Sequence, residues 1–295
     1  MAIRDYIRER FFPHIWCPGC GHGMVLNAML HGIEKMGLAK NEIVMVSGIG
    51  CSARIAGYVD FHSMHTLHGR ALAFATGVKM SRPELNVIVP MGDGDALAIG
   101  GNHFIHAARR NIDMTALVMN NRIYGMTGGQ FSPLSGYGTQ ASTAPYSTID
   151  HGFDIVSMAT AAGATFVARS TTYHVRELSG YIRRAIAHEG FSVVEILTQC
   201  PTYFGRQNRA GSAVEMLESY KDRTVSLDSE NAEAAGDKTG GWGFESLHSC
   251  HHPLPRSPAC APRRGAGAAT LAGKRSWPKR LRGNSSDRCA RKSPG

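Results

Sequence analysis

Nothing in the 295-residue chain approaches roughly 18 uninterrupted apolar residues, so no membrane-spanning helix is expected. The opening ten residues intermix Arg4, Asp5, Arg8, Glu9 and Arg10 with apolar side chains, and so lack the basic start and apolar run of an export signal. A cytoplasmic location is the resulting expectation. No internal repeat is visible. A positive face for nucleic acid is also missing from most of the chain. The net charge is +9, but residues 231–295 hold 12 Lys/Arg against 4 Asp/Glu, which leaves 20 against 19 in residues 1–230. Nucleic-acid binding would therefore rest on the tail, where basic and aromatic residues do not interleave as single-strand binding requires. Cysteine is sparse: Cys17, Cys20, Cys51 and Cys200 precede residue 230, and Cys250, Cys260 and Cys289 follow it. In a reducing compartment, spaced thiols are metal ligands or catalysts more often than disulfides.

What is present is an α/β pattern. Runs at 43–46, 87–91, 115–119, 165–168 and 192–197 are β-branched or apolar almost without interruption, as strands buried on both faces must be. Helix-compatible segments between them, including 95–110 and 172–189, supply the covering layers, which predicts a parallel sheet with helices on both faces. Residues 125–153 are rich in Gly, Ser, Thr, Pro and Tyr with no period, and a loop of that length points to a lid or binding loop. One folded domain is expected over 1–227. Residues 228–295 read either as a disordered basic tail or as sequence from a shifted reading frame.

Two constellations carry chemistry. Gly92-Asp93-Gly94-Asp95 follows one predicted strand, and Asn120-Asn121 ends the next, so the two turns fall side by side at the carboxyl edge where open α/β sheets bind ligands. The glycines permit close approach of a phosphate, and Asp93 with the Asn121 side-chain carbonyl offers hard oxygens for Mg²⁺ on a diphosphate. An ordinary capped turn beside a polar strand end is the alternative. The second constellation is Cys17-Pro18-Gly19-Cys20, with Cys51 and Cys200 each just past a predicted strand. It fits a four-thiolate [4Fe–4S] site, a Cys₄ zinc site, or a redox pair with two inert thiols.

The Gly-Asp-Gly and Asn-Asn pair resembles the thiamine diphosphate motif. The whole of residues 10–220 closely resembles the β subunit of the 2-oxoacid:ferredoxin oxidoreductases, through W-C-P-G-C-G-H-G, G-I-G-C-S, L-H-G-R-A, G-D-G-D and Y-G-M-T-G-G-Q in the family's order. The resemblance implies the thiamine diphosphate-binding fold. It implies Mg²⁺ held by Asp93, Asn121 and the main-chain carbonyl of Ile123, and a [4Fe–4S] cluster on Cys17, Cys20, Cys51 and Cys200. It further implies that Ile49, Gly50, Cys51, Ser52, His68, Gly94, Asp95, Gly125 and Met126 line thiamine diphosphate. The activity implied is coenzyme A-dependent oxidative decarboxylation of a 2-oxoacid, with Gly-Met-Thr-Gly-Gly-Gln most like enzymes for 2-oxoglutarate or branched-chain 2-oxoacids. His68 is expected to act at the cofactor, and Arg54 to clamp a substrate carboxylate or else to pair with an acidic neighbour. His62 and His65 repeat the spacing of His68 but are expected to have no metal role.

In this family the Glu that activates the aminopyrimidine comes from another subunit, and no convincing site for it stands in this chain. An α subunit is therefore an expected partner, with ferredoxin as electron acceptor and γ or δ subunits as possible companions in the assembly. Two other functions are distinguishable by experiment: a non-oxidative thiamine diphosphate decarboxylase or synthase, with zinc or no metal at the cysteines, and nucleic-acid binding by the tail.

Overall fold

The apolar runs pair side by side in the computed structural model, which describes residues 2–226, 245–247 and 249–250. The strands are β1 (Ile43–Ser47), β2 (His62–His65), β3 (Asn86–Gly92), β4 (Met114–Asn120), β5 (Ile123–Tyr124), β6 (Gln130–Phe131), β7 (Phe166–Thr171) and β8 (Phe191–Leu197). Six of them form a parallel sheet in the order β2-β1-β3-β4-β8-β7, and β5 with β6 makes a separate antiparallel pair.

Continuous apolar character in the inner strands is explained by two cores. Successive residues of a strand point to opposite faces. On one face Ile43, Met45, Leu117, Met119, Val194 and Ile196 pack with Val25, Met29 and Ile33 of α1 (His22–Met36) and with residues Leu178 and Ile182 further along the chain. On the other, Val44, Val46, Val89, Val118 and Val193 meet Leu72, Phe104 and Ile155. The covering helices are α2 (Ile55–Tyr58), α3 (Ala71–Ser81), α4 (Asp93–Leu97), α5 (Gly101–Arg109), α6 (Ile155–Ala162), α7 (Val175–Ala187) and α8 (Ala213–Arg223). Among the described residues, no helix is long and apolar enough to cross a membrane.

The structure departs from the sequence reading at β2, at the helix expected over 95–110 and at the end of β7. β2 was not expected, because all four of its residues are exposed and it carries no apolar pattern. It forms at the sheet edge on the open side of β1, Val44 pairing with His62 and Ser47 with His65. The helix expected over 95–110 is broken into α4 and α5 at Ala98–Gly100, where a Cβ on Gly100 would lie 2.0 Å from the Asp95 carbonyl oxygen. β7 runs three residues further than 165–168, paired throughout with β8. Most of the tail expected to be disordered, and the boundary near 227, lie outside the described residues. Within that tail, β10 (Glu245–Leu247) pairs with β9 (Thr224–Ser226), and β11 (Ser249–Cys250) adds antiparallel to β7, whose edge leaves backbone groups open to any extended segment.

Candidate cofactor site

Strand order reverses between β1 and β3, since β1 continues outward to β2 while β3 starts the other half of the sheet. A crevice at the carboxyl edge follows from that reversal. The segments after β1, β3 and β4 converge there around a cavity of about 300 Å³. Ile49, Gly50, Cys51, Ser52, His68, Gly94, Asp95, Gly125 and Met126 all border it, together with Asp93, Asn121 and Ile123. Sequence positions from 49 to 126 are thus gathered at one place.

Asp93 is 3% exposed, and both its carboxylate oxygens are engaged. Oδ1 accepts from the Gly94 amide at 3.0 Å and Oδ2 from the Ser132 hydroxyl at 2.6 Å. Burial pushes its pKa up to about 6. A carboxylate so placed gains from a cation beside it. Asn121 Oδ1 accepts the Ile123 amide at 3.2 Å, which folds the β4–β5 turn back toward Asp93. Gly94 is needed for the close packing here, because a Cβ would stand 2.0 Å from the Tyr124 ring.

Asp95 has a different role from Asp93. Its side chain is fully buried, accepts the Gly69 amide at 2.6 Å and pairs with His68 Nδ1 at 3.0 Å. Its hydrogen bond holds the His68 imidazole pKa above the ordinary value. A Cβ on Gly48 would fall 2.2 Å from the Asp95 carboxylate, so the β1 loop closes directly over it. Asp95 therefore joins three chain segments at the cavity floor.

The four cysteines border a second cavity of about 230 Å³, which shares Cys51, Asn121, Gly125 and Met126 with the first. All four are free thiols. Trp16 Nε1 donates to the Cys51 carbonyl at 2.7 Å, and a Cβ on Gly125 would touch Cys51 Sγ at 3.5 Å and Cys200 Sγ at 3.7 Å. Burial pushes the thiol of Cys20 up to about 12 and that of Cys51 up to about 11, with the neighbouring thiols adding to both shifts. Such thiols ionise when a metal centre takes up the charge. Among the described residues, no three His, Cys, Asp or Glu side chains converge to hold a single ion.

Arg54 is the expected site residue that borders neither cavity. Its Nη2 stands 4.0 Å from where a Gly57 Cβ would be, its Nε is buried without a partner among the described residues, and its charge depresses the pKa of His65 after burial has done so. His62 and His65 lie on exposed β2, not on a helix face, and His65 Nδ1 meets Ser47 Oγ at 2.8 Å. Two residues escaped the sequence reading. Ser132 sits in an aperiodic loop with nothing to mark it. His22 stands within the W-C-P-G-C-G-H-G segment, which carried the resemblance without assigning it a role.

Comparison with known proteins gives a consistent result. A family model described as the thiamine pyrophosphate enzyme, C-terminal TPP binding domain, matches residues 48–196. A curated relative, 2-oxoglutarate synthase subunit KorB of Methanothermobacter thermautotrophicus, is 54% identical over 75% of this chain and 77% of its own. The 2-oxoacid:ferredoxin oxidoreductase subunit beta of Saccharolobus solfataricus is 42% identical over 73% of this chain and 68% of its own. Among solved structures, the 2-oxoglutarate:ferredoxin oxidoreductase of Magnetococcus marinus, with 2-oxoglutarate, coenzyme A and succinyl-CoA bound, superimposes with a TM-score of 0.74 at 36% identity over 84% of each chain.

Proposed function

The chain belongs to the 2-oxoacid:ferredoxin oxidoreductase β-subunit family, and from that premise we propose how its two cavities divide the work of the enzyme. It is the thiamine diphosphate-binding subunit of an oxidoreductase that converts a 2-oxoacid, here 2-oxoglutarate, to its acyl-CoA and CO₂ together with an α subunit. The observation that carries the assignment is the wall of Cys51 and Gly125 shared by the Asp93 cavity and the four-cysteine cavity.

In the first cavity Asp93, the Asn121 side chain and the Ile123 carbonyl hold Mg²⁺, and Gly94 leaves the backbone room to meet the diphosphate. In the second, Cys17, Cys20, Cys51 and Cys200 hold a [4Fe–4S] cluster. Thiamine diphosphate supplies the electron sink for decarboxylation, and the cluster accepts electrons singly. His68 pairs through Nδ1 with Asp95, so Nε2 is the ring atom left to hold or release a proton at the cavity. Asp93 and Asp95 are the carboxylates bordering this cavity among the described residues, and Asp95 is held through Oδ1 by His68 and the Gly69 amide. The carboxylate that activates the aminopyrimidine is proposed to come from the α subunit, as membership of the family implies. Ferredoxin is the proposed electron acceptor, γ or δ subunits are further candidates for the complex, and the reducing cytoplasm suits four free thiols.

Purification of the αβ complex without oxygen tests this reading. About four iron and four sulfide per β chain are expected, with ferredoxin reduction that requires both 2-oxoglutarate and coenzyme A. Stoichiometric zinc without iron, or decarboxylation indifferent to ferredoxin, would instead favour the non-oxidative reading.

Two substitutions probe individual residues. Ser132→Ala removes a hydrogen bond to a buried carboxylate, a loss of about 1.5–3 kcal/mol, so the dissociation constant for thiamine diphosphate with Mg²⁺ should rise by about 10- to 100-fold. Calorimetric titration measures it, and an unchanged constant would deny Ser132 that role. Arg54 does not border the cofactor cavity. If it meets the distal carboxylate of 2-oxoglutarate, Arg54→Met should raise KM for that substrate by roughly 10- to 100-fold and spare pyruvate. A proportional loss on 2-oxoglutarate, pyruvate and 2-oxoisovalerate would defeat the specificity role.

A further inference from the structure

His22 is 1% exposed, yet it borders the cofactor cavity, and its Nδ1 lies 3.1 Å from Cys20 Sγ, which borders the cysteine cavity. It thus reaches both sites. The imidazole is the first residue of α1, and the turn before it is locked in place. The Gly21 amide donates to the Gln199 carbonyl at 3.2 Å, Gln199 Nε2 donates to the Gly19 carbonyl at 3.2 Å, and a Cβ on Gly21 would meet Thr198 Oγ1 at 2.1 Å. The segment that carries Cys200 therefore fixes the ring that faces Cys20. Trp16 packs beside the ring at 5.9 Å between centroids.

We propose that His22 is a positioning residue for electron transfer, whose Nδ1–H donates to the Cys20 sulfur and thereby raises the reduction potential of the iron–sulfur cluster. This rests on the cluster assignment made above. A cysteine that ligates iron is a thiolate and can only accept, so the proton belongs to Nδ1 and the tautomer is set, with Nε2 bare. Oxidation of one 2-oxoacid releases two electrons, and the cluster takes them one at a time and passes each to ferredoxin. Each reduction adds one negative charge to the cluster and its sulfurs. A fixed N–H dipole aimed at sulfur favours that reduced state, while the proton stays on Nδ1 and no bond to it breaks. Without the donor the cluster would be harder to reduce, so electrons would leave the cofactor cavity more slowly.

The test is a potentiometric titration, followed by electron paramagnetic resonance, of anaerobic αβ complex carrying wild-type β chain, His22→Phe or His22→Asn. His22→Phe keeps a ring without a donor and should shift the midpoint to more negative potential at unchanged iron content. His22→Asn, which keeps an N–H, should recover part of the shift. Equal midpoints for wild type and His22→Phe would overturn the proposal. Should His22→Phe fail to load iron, wild-type complex grown with ¹⁵N-histidine decides the matter. Pulsed resonance on the reduced cluster should reveal coupling to a histidine nitrogen, and its absence overturns the proposal. Iron missing from the wild-type complex would refute the cluster assignment itself and this proposal with it, whereas an iron-loaded wild type with an unmoved midpoint refutes this proposal alone.

Discussion

Asp93→Ala is expected to weaken binding of thiamine diphosphate with Mg²⁺ to the αβ complex by about 100- to 5,000-fold. That is the scale of about 3–5 kcal/mol for deleting one partner of a buried charge pair. The residue is 3% exposed and is the anionic member of the proposed metal set, so no water-filled route replaces its charge. Asn121→Ala removes a neutral oxygen and should cost less. The same carboxylate imposes a pH dependence. With its pKa raised to about 6, ionised Asp93 is unfavourable in the metal-free fold, so its contribution to stability is full below about pH 4 and lost as pH rises through about 6. Mg²⁺ binds the ionised form, so affinity should fall as pH drops below about 6, and Asp93→Ala should abolish that dependence. Titrations between pH 5.5 and 7.5 on both proteins measure the effect. A variant that binds the cofactor as tightly as wild type would remove Asp93 from the site.

Replacement of Cys17, Cys20 or Cys200 by Ala should eliminate the cluster and bring ferredoxin reduction to background, whereas Cys250→Ala, Cys260→Ala and Cys289→Ala should leave both intact. Cys200 is buried and Cys17 exposed, so the two substitutions differ in their effect on packing while sharing the loss of a ligand. Equal loss of iron in both would therefore point to ligation and not to a collapsed core. Thiamine diphosphate affinity is the control, because the Asp93 cavity is bordered by Cys51 and not by Cys17 or Cys200. Iron retained at full occupancy in any of the three variants would exclude that residue as a ligand. Both experiments use the αβ complex.

The sequence alone determined the α/β class and the meeting of the Gly92–Asp95 and Asn120–Asn121 turns, while the place of Gly50–Ser52, Gly125 and Met126 beside them came from the family resemblance. A parallel strand buried on both faces must be continuously apolar, and a turn that follows such a strand must open at the carboxyl edge. Both facts are local, so they survive in a linear string. Tertiary structure decided the rest. β2 has no apolar pattern because it is exposed, and it exists because β1 leaves an edge to be paired. The break between α4 and α5 depends on a glycine that must pass the Asp95 carbonyl. Arg54 lies two residues beyond Ser52, which borders the cofactor cavity, yet the turn carries it outside the lining. Ser132 reaches Asp93 across 39 residues, and the turn between Cys20 and His22 is held by the Gln199 carbonyl and side chain and packed against Thr198. Periodicity records which face of a strand or helix is buried. It holds no record of how distant loops meet, because that is set by the packing of the elements that carry them.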